Sequence, residues 1–252
     1  MYGVTLSPAV IADWCRGVHT PFGGIRIPTI DFLDPSPELA YVIGVVVGDG
    51  WAVKRSGRSG EYRISAKVKD RDFAEEFSRC LGKVLGREPP KPIPMKDEKY
   101  RVRVNSNALY KLLQKPINID KIRLFVEHTR DCTRSFLRGF FDAEGSVTLD
   151  GDIYCYNTDH RLLEYTRRLL GLLGIKTTDP KIRTKKGTLI KDWKTGKTYI
   201  KKKDVYYLYV RADTKLNFYK HVGFTIQRKR QRLEECLKRR GLLNVPLNQS
   251  SS

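Results

Sequence analysis

The chain has 252 residues, 40% hydrophobic and 30% charged, which suits one large soluble domain or two of about 125 residues each. Its longest apolar run, residues 39–48, falls well short of the roughly 20 residues that span a bilayer; the N-terminus also lacks a signal-peptide pattern, so no membrane partner is expected and the location should be intracellular. Lys and Arg number 48 against 28 Asp and Glu, leaving a net charge of +20, which makes a polyanion, nucleic acid first, the expected partner.

Residues 1–35 hold a proline- and glycine-rich stretch from 19 onward and read as an arm leading into the first helix. Ser36, Pro37 and Glu38 form a helix start: a capping hydroxyl, a proline in the first turn, then an acid. The apolar run follows and ends at Asp49-Gly50. Residues 61–69 alternate Tyr62, Ile64, Ala66 and Val68 against Arg63, Ser65 and Lys67, as a half-buried strand does. A helix over 70–85, strands over 92–96 and 99–105 and a helix over 107–114 come next. After the stretch 120–125 the same order returns: a second Gly-flanked helix ending at Glu144, a strand over 152–157, a helix over 159–173, strands over 181–194 and 197–211, and a helix over 214–222. A basic helix over 227–240 and a frayed tail close the chain.

The decamers 41–50 and 136–145 organise this pattern. In each, two small residues four apart (Gly44 and Gly48; Gly139 and Ala143) precede an acid and a glycine. Two smooth helix faces of this kind let backbones approach closely, and the first helix is apolar all round, so it must be buried. The fold class expected is α+β, with two pseudo-twofold-related αββαββα halves, antiparallel sheets forming a DNA-binding saddle, and the two motif helices packed at the centre. The halves are placed at 36–130 and 131–240, with a long basic hairpin at 181–211 and a tail at 241–252.

Packing the helices together brings Asp49 and Glu144 to one end, each before a glycine suited to a left-handed cap. An acid there opposes the helix dipole. Two converging carboxylates call for a divalent cation, and Mg²⁺ takes such oxygens while keeping waters. Asp-Gly and Glu-Gly are also ordinary helix stops, but two copies in matched surroundings on a +20 chain favour a site. The scattered histidines and five unpaired cysteines argue against zinc or a histidine nuclease motif and fit small apolar residues in a reducing compartment.

At these residues the sequence resembles the LAGLIDADG homing endonucleases in their double-motif, single-chain form, over about residues 36–240. The resemblance implies a metal-dependent endodeoxyribonuclease: double-strand hydrolysis of a long asymmetric DNA target across the minor groove, leaving short 3′ overhangs, by a monomer. By motif position it makes Asp49 and Glu144 the metal-binding acids, with the carbonyls of Gly48 and Ala143 nearby, for two or more Mg²⁺ or Mn²⁺ ions. Family members place basic or amide residues around the scissile phosphates. At the end of the second strand, where a glutamine is frequent, this chain has Val68 between Lys67 and Lys69, and Asn157 in the other half. The further lysine is matched by Arg228 or Lys229, and by Lys121 in the first half.

On the open sheet faces, Arg63, Arg101, Arg103, Arg183 and Arg211 suit guanine, Asn105 suits adenine, and Tyr154, Tyr156, Tyr207 and Tyr209 add aromatic reach. Lys67, Lys69 and Lys185 are further DNA contacts, and many of these cations are expected to meet only phosphate. Residues 181–204 carry ten Lys/Arg around a Thr195-Gly196 turn and read either as a hairpin with arms of roughly 50 Å or as a solvated loop that orders on DNA. An intron RNA maturase on the same scaffold and a non-catalytic regulator are the alternatives. Intron RNA is then a second candidate partner. An intein is disfavoured by the residues at both termini.

Overall fold

The computed structural model describes residues 33–55, 61–192 and 196–243. The expected arm, up to residue 32, and Thr195 of the expected turn lie outside them.

Helix α1 (Pro37–Val47) starts as its sequence predicts: the Ser36 hydroxyl accepts from the Leu39 amide at 3.2 Å, and Pro37 occupies the first turn. Every residue from Leu39 to Val47 is buried. Its partner α5 (Arg130–Glu144) is capped by Thr129. The two cross backbone to backbone. A Cβ on Gly139 would lie 2.5 Å from the Tyr41 carbonyl oxygen, and one on Gly44 would collide with the Phe136 carbonyl. Farther along, a Cβ on Gly48 would stand 2.8 Å from the Ala143 Cβ. The small residues are therefore required by the crossing, as expected.

Two antiparallel sheets of the same order flank this pair. The first contains β1 (Gly50–Lys54), β2 (Tyr62–Val68), β3 (Ile93–Pro94) and β4 (Tyr100–Asn105), ordered β1-β2-β4-β3. The second contains β5 (Gly145–Val147), β6 (Ile153–Asn157), β7 (Lys181–Thr184) and β10 (Val205–Tyr209), ordered β5-β6-β10-β7. Helices α2 (Arg71–Leu85) and α6 (His160–Leu172) each bury an apolar stripe, Phe73, Phe77 and Leu81 in one and Leu162, Leu169 and Leu170 in the other. The inward strand positions Ile64, Ala66, Val102 and Val104, and their counterparts Ile153, Cys155 and Leu208, are buried. The α+β class with two like halves about a central helix pair is what the alternation predicts. Helices α3 (Asn107–Leu113) and α4 (Ile119–Val126) link the halves, while α7 (Lys215–His221) and α8 (Gln227–Arg239) follow the second. Cys80, Cys132, Cys155 and Cys236 are free and buried. Among the described residues no helix is long and apolar enough to cross a membrane.

Several expectations need correction. Gly50 and Gly145 are not left-handed caps: each begins a strand, and Gly145 has φ −81° and ψ 150°. Glycine is required there because the chain turns straight back along the preceding helical turn, where a Cβ on Gly50 would lie 2.6 Å from Val46 Cα. The long hairpin is not continuous. Strand β7 pairs with β10, whereas β8 (Leu189–Lys191) and β9 (Thr198–Ile200) form a separate ribbon. The break falls where alternation fails: Gly187 has φ +88°, the Lys186 amide donates to the Asp204 carboxylate at 2.6 Å, and three consecutive lysines, 201–203, stand opposite. Gly196 does turn, with φ +68°. Arg211 lies past the end of β10, as the first residue before a 3₁₀ turn. Ser65, expected on an open face, is buried between its cross-strand neighbours Trp51 and Arg103.

Candidate active site

The two acids stand where the crossed helices end. Glu144 is the last residue of α5, and Asp49 lies two residues beyond the end of α1. A Cβ on Gly48 would be 3.0 Å from the Glu144 Cγ, so the acid of one half lies against the small residue of the other motif. Both carboxyls are raised in pKa. At Asp49 the cause is lost hydration, opposed by the charges of Lys229, Lys115 and Lys99. At Glu144 burial comes first and the neighbouring Asp49 charge second, and together they push the carboxyl up to about 8. The pair therefore carries the charge conflict that its helix ends predict.

Each acid opens into its own cavity. The Asp49 cavity, about 380 Å³, is lined by Lys67, Val68, Lys69, Lys99, Ala143, Arg228 and Lys229 among others. The Glu144 cavity, about 190 Å³, is lined by Gly48, Lys115, Tyr156, Asn157 and Thr158 among others. The two correspond in strand register. Gly50 lies opposite Ala66 as Gly145 lies opposite Cys155, which makes Val68 the counterpart of Asn157.

The Asn157 amide donates to Glu144 Oε1 at 2.9 Å and fixes that carboxylate. At the matching place Val68 has no polar group to offer Asp49. Lys229 is buried, and its ammonium donates to the carbonyls of Phe141 and Asp142 at 3.1 and 2.6 Å. Two of its three donors are thus committed to the end of α5 and one remains for a ligand. Burial lowers its pKa, and the charge of Asp142 opposes that. Asp142 is itself buried and raised to about 6. It accepts from Tyr41 Oη at 2.9 Å and from the Thr225 amide at 3.0 Å, tying both motif helices to the start of α8 and so placing Lys229.

Of the other sequence candidates, Arg228 lines the Asp49 cavity but is held by two hydrogen bonds to Asp70, at 2.6 and 2.9 Å. Lys67 lines it while paired with Asp97 at 2.8 Å, and Lys69 lies exposed at its rim. Lys121 is exposed in the first turn of α4 and is not among the residues lining either cavity. Lys115 is the cation that sequence reasoning missed: it lines the Glu144 cavity and donates to the Gly50 carbonyl at 3.4 Å. Its signal was available, since both it and Lys229 follow the last helix of a half, but the expected register slipped by six residues. Lys99 was likewise missed.

The open face of the first sheet places Arg63 opposite Asn105 and Lys67 opposite Arg101. On the second sheet Tyr156 lies opposite Tyr207 and Tyr154 opposite Tyr209. Arg183 is on β7 and its charge reaches Tyr156. Lys185 lies just beyond that strand, near the break in the hairpin.

Metal fit rests on this donor set. Among the described residues no three His, Cys, Asp or Glu side chains gather as a metal cage. Two hard carboxylates at helix ends, with the remaining ligands left to carbonyls, water or phosphate oxygens, suit an ion such as Mg²⁺ that keeps its waters.

A LAGLIDADG-like domain model matches residues 131–223. An uncharacterized protein of Methanocaldococcus jannaschii is 37% identical over 240 residues, 93% of this chain and 83% of that one. The fold is similar to that of I-DmoI in complex with DNA and Mn, with TM-score 0.54 and 23% identity over 75% of this chain and 97% of that one. Mesophilic variants of the homing endonuclease I-DmoI give TM-score 0.56 and 23% identity over 79% and 97%. The small-residue helix crossing, the paired acids at its end and these matches agree: the chain belongs to the LAGLIDADG family.

Proposed function

We propose that this protein is a site-specific, metal-dependent DNA endonuclease of the homing type, acting as a monomer on a long asymmetric duplex. It cuts one strand in each cavity across the minor groove and leaves short 3′ overhangs. The observation that carries this reading is the pair of acids whose charges conflict, each opening into a separate cavity that also holds a lysine. Two scissile phosphates on opposite strands need two such places, related as the two halves are.

Asp49 and Glu144 would hold divalent ions, two or more, with the Gly48 and Ala143 carbonyls as further ligands. When bound, such an ion supplies Lewis acidity at the phosphate and a water of lowered pKa. The chain's own groups do the rest. Asn157 fixes the Glu144 carboxylate, so its free oxygen has one direction to face. Lys229 and Lys115 offer ammonium donors against the negative charge that builds on the phosphate oxygens as water attacks phosphorus and the bond to the sugar oxygen breaks. The open faces, with Arg63, Arg101, Arg103 and Asn105 on the first sheet and Arg183 and the four tyrosines on the second, bind duplex on either side; Lys67, Lys69, Lys185 and Arg211, which lies beyond the end of β10, add phosphate contacts. The domain limits 36–130 and 131–240 fit this division of labour.

The test is cleavage of a randomised plasmid library in Mg²⁺, with Ca²⁺ as control, by the wild type and by Asp49→Asn and Glu144→Gln. Double-strand cuts at one recurring sequence by the wild type alone are expected. Equal cutting by either variant would refute the paired-acid site.

A further inference from the structure

The central strands of the two sheets occupy matching positions but present different chemistry, while on the edge strands Ile93 of the first matches Lys181 of the second. Val68 pairs with Tyr100 as Asn157 pairs with Tyr206. With that anchor, the cross-strand pair Lys67–Arg101 of the first sheet corresponds to Tyr156–Tyr207 of the second. Likewise Ser65–Arg103 corresponds to Tyr154–Tyr209. Three cations on one open face are thus replaced by tyrosines on the other.

The four rings form one plate. Tyr154 stacks with Tyr156 at 6.1 Å between centroids, and lies 5.1 Å from Tyr209 and 6.2 Å from Tyr207. Tyr156 is 6.3 Å from Tyr207. All four are only half-buried, although they lie across the sheet from the buried Ile153, Cys155 and Leu208. Tyr209 is further fixed by donating to Asp152 at 3.1 Å. A continuous aromatic surface left partly open to solvent suits contact with another apolar surface. In the major groove the apolar feature is the thymine methyl, whereas guanine offers acceptors that suit guanidinium groups.

We propose that the two halves read their half-sites by different chemistry. The first sheet uses Lys67, Arg101 and Arg103 on guanine edges and phosphates, and the second uses its tyrosine plate on thymine methyls. This rests on the duplex-binding reading above and assigns the base class under each sheet. Two consequences follow. Thymine should be enriched in one half-site only. The salt dependence contributed by the two central strands of each sheet should come mainly from the first, since each phosphate contact adds roughly 0.9 to the slope of log K against log salt; the cations beside the tyrosines, Lys181 and Arg183, lie on the edge strand β7.

The experiment is selection of a randomised duplex library by the full chain in Ca²⁺, once with the library made from dTTP and once with dUTP, which lacks the methyl. With thymine, a two-part motif is expected. With uracil, the part rich in thymine should weaken, by roughly fourfold in affinity per buried methyl, while the other part is unchanged. The double variant Tyr156→Lys with Tyr207→Arg, which leaves the pair Tyr154 and Tyr209, should weaken this sensitivity and steepen the salt slope. Equal strength of both parts in the two libraries would overturn the proposal, as would undiminished methyl sensitivity in the double variant. Enrichment of no motif at all by the wild type would overturn it together with the site-specific reading of the preceding section.

Discussion

Glu144→Gln separates the cost of the acid pair from its use. In the metal-free protein burial and the Asp49 charge move the Glu144 carboxyl from 4.5 to about 8. A carboxyl raised on folding contributes stability that is fully present below its ordinary value and is lost as pH rises through the folded value. The window is therefore pH 4.5 to 8. At about 1.4 kcal/mol per tenfold change in proton affinity, the full effect is on the order of 4–5 kcal/mol. The residue is partly open to its cavity, and solvent screening reduces this to roughly 2 kcal/mol. For a chain of this size that corresponds to about 4–8 °C in Tm. Thermal melts in EDTA at pH 5 and pH 8.5 should show the wild type losing that much more than Glu144→Gln, because groups common to both cancel in the difference. Adding Mg²⁺ at pH 8.5 should restore the wild type and leave the variant unmoved. Equal pH dependence of the two proteins without metal would refute the charge conflict.

Lys115→Met should slow cutting of the strand at the Glu144 cavity by 10²–10³-fold, the usual effect of removing a donor to developing charge, while Lys121→Met stays within threefold; strand-resolved single-turnover rates distinguish them. Asn157→Val should slow that same strand, and Val68→Asn should speed the other, since only Glu144 now has an amide to fix it. Gly139→Ala should cost about 1–3 kcal/mol in urea denaturation through overpacking against Tyr41, even though alanine favours a helix by up to about 1 kcal/mol. Asp152→Asn leaves the Lys215 ammonium, now 2.6 Å from Asp152 and fully buried, without its partner. A loss of about 3 kcal/mol is expected. In the wild type, burial raises the Asp152 carboxyl but the bond and charge of Lys215 outweigh it and hold it low, so this pair's contribution is present above the ordinary carboxylate range and lost as pH falls below it.

What was legible in the sequence was whatever depends on period and spacing. Alternation in 61–69 and 99–105 gave the strands, and Gly44, Gly48, Gly139 and Ala143 gave the helix crossing, because backbone approach leaves no other residue type possible at such contacts. What was not legible depends on where the chain goes between elements. Gly50 and Gly145 carry the signature of a left-handed cap, yet close approach to the preceding turn also demands glycine, and a sequence cannot tell the two demands apart. The hairpin failed for a related reason: polar, lysine-rich residues give no buried face to set a register, so the failed alternation at Gly187 carried no weight against one continuous hairpin. Lys115 was missed by a slip of register: it follows α3 as Lys229 follows α7, but the expectation fell on Lys121, six residues farther on.

The same crossing that makes the site also stabilises it. Acids at the ends of two crossed helices, the charge of one felt by the other and both partly removed from water, favour separation of the helices in the metal-free protein. What opposes that is the all-round burial of α1 and the backbone contact through Gly44 and Gly139. Asp142 adds a second restraint by accepting from Tyr41 on α1 and from the Thr225 amide before α8. The restraint is also what brings Lys229 to Asp49, so one buried carboxylate serves both the packing of the helices and the placing of the cation. First and second halves differ here too: the position of Asp142 is Val47 in the first motif, and Lys115 is exposed with a single long bond to Gly50. The Asp49 cavity therefore has its lysine fixed and its carboxylate free, and the Glu144 cavity has its carboxylate fixed and its lysine free. Two strands cut in such cavities have no physical reason to be cut at equal rates.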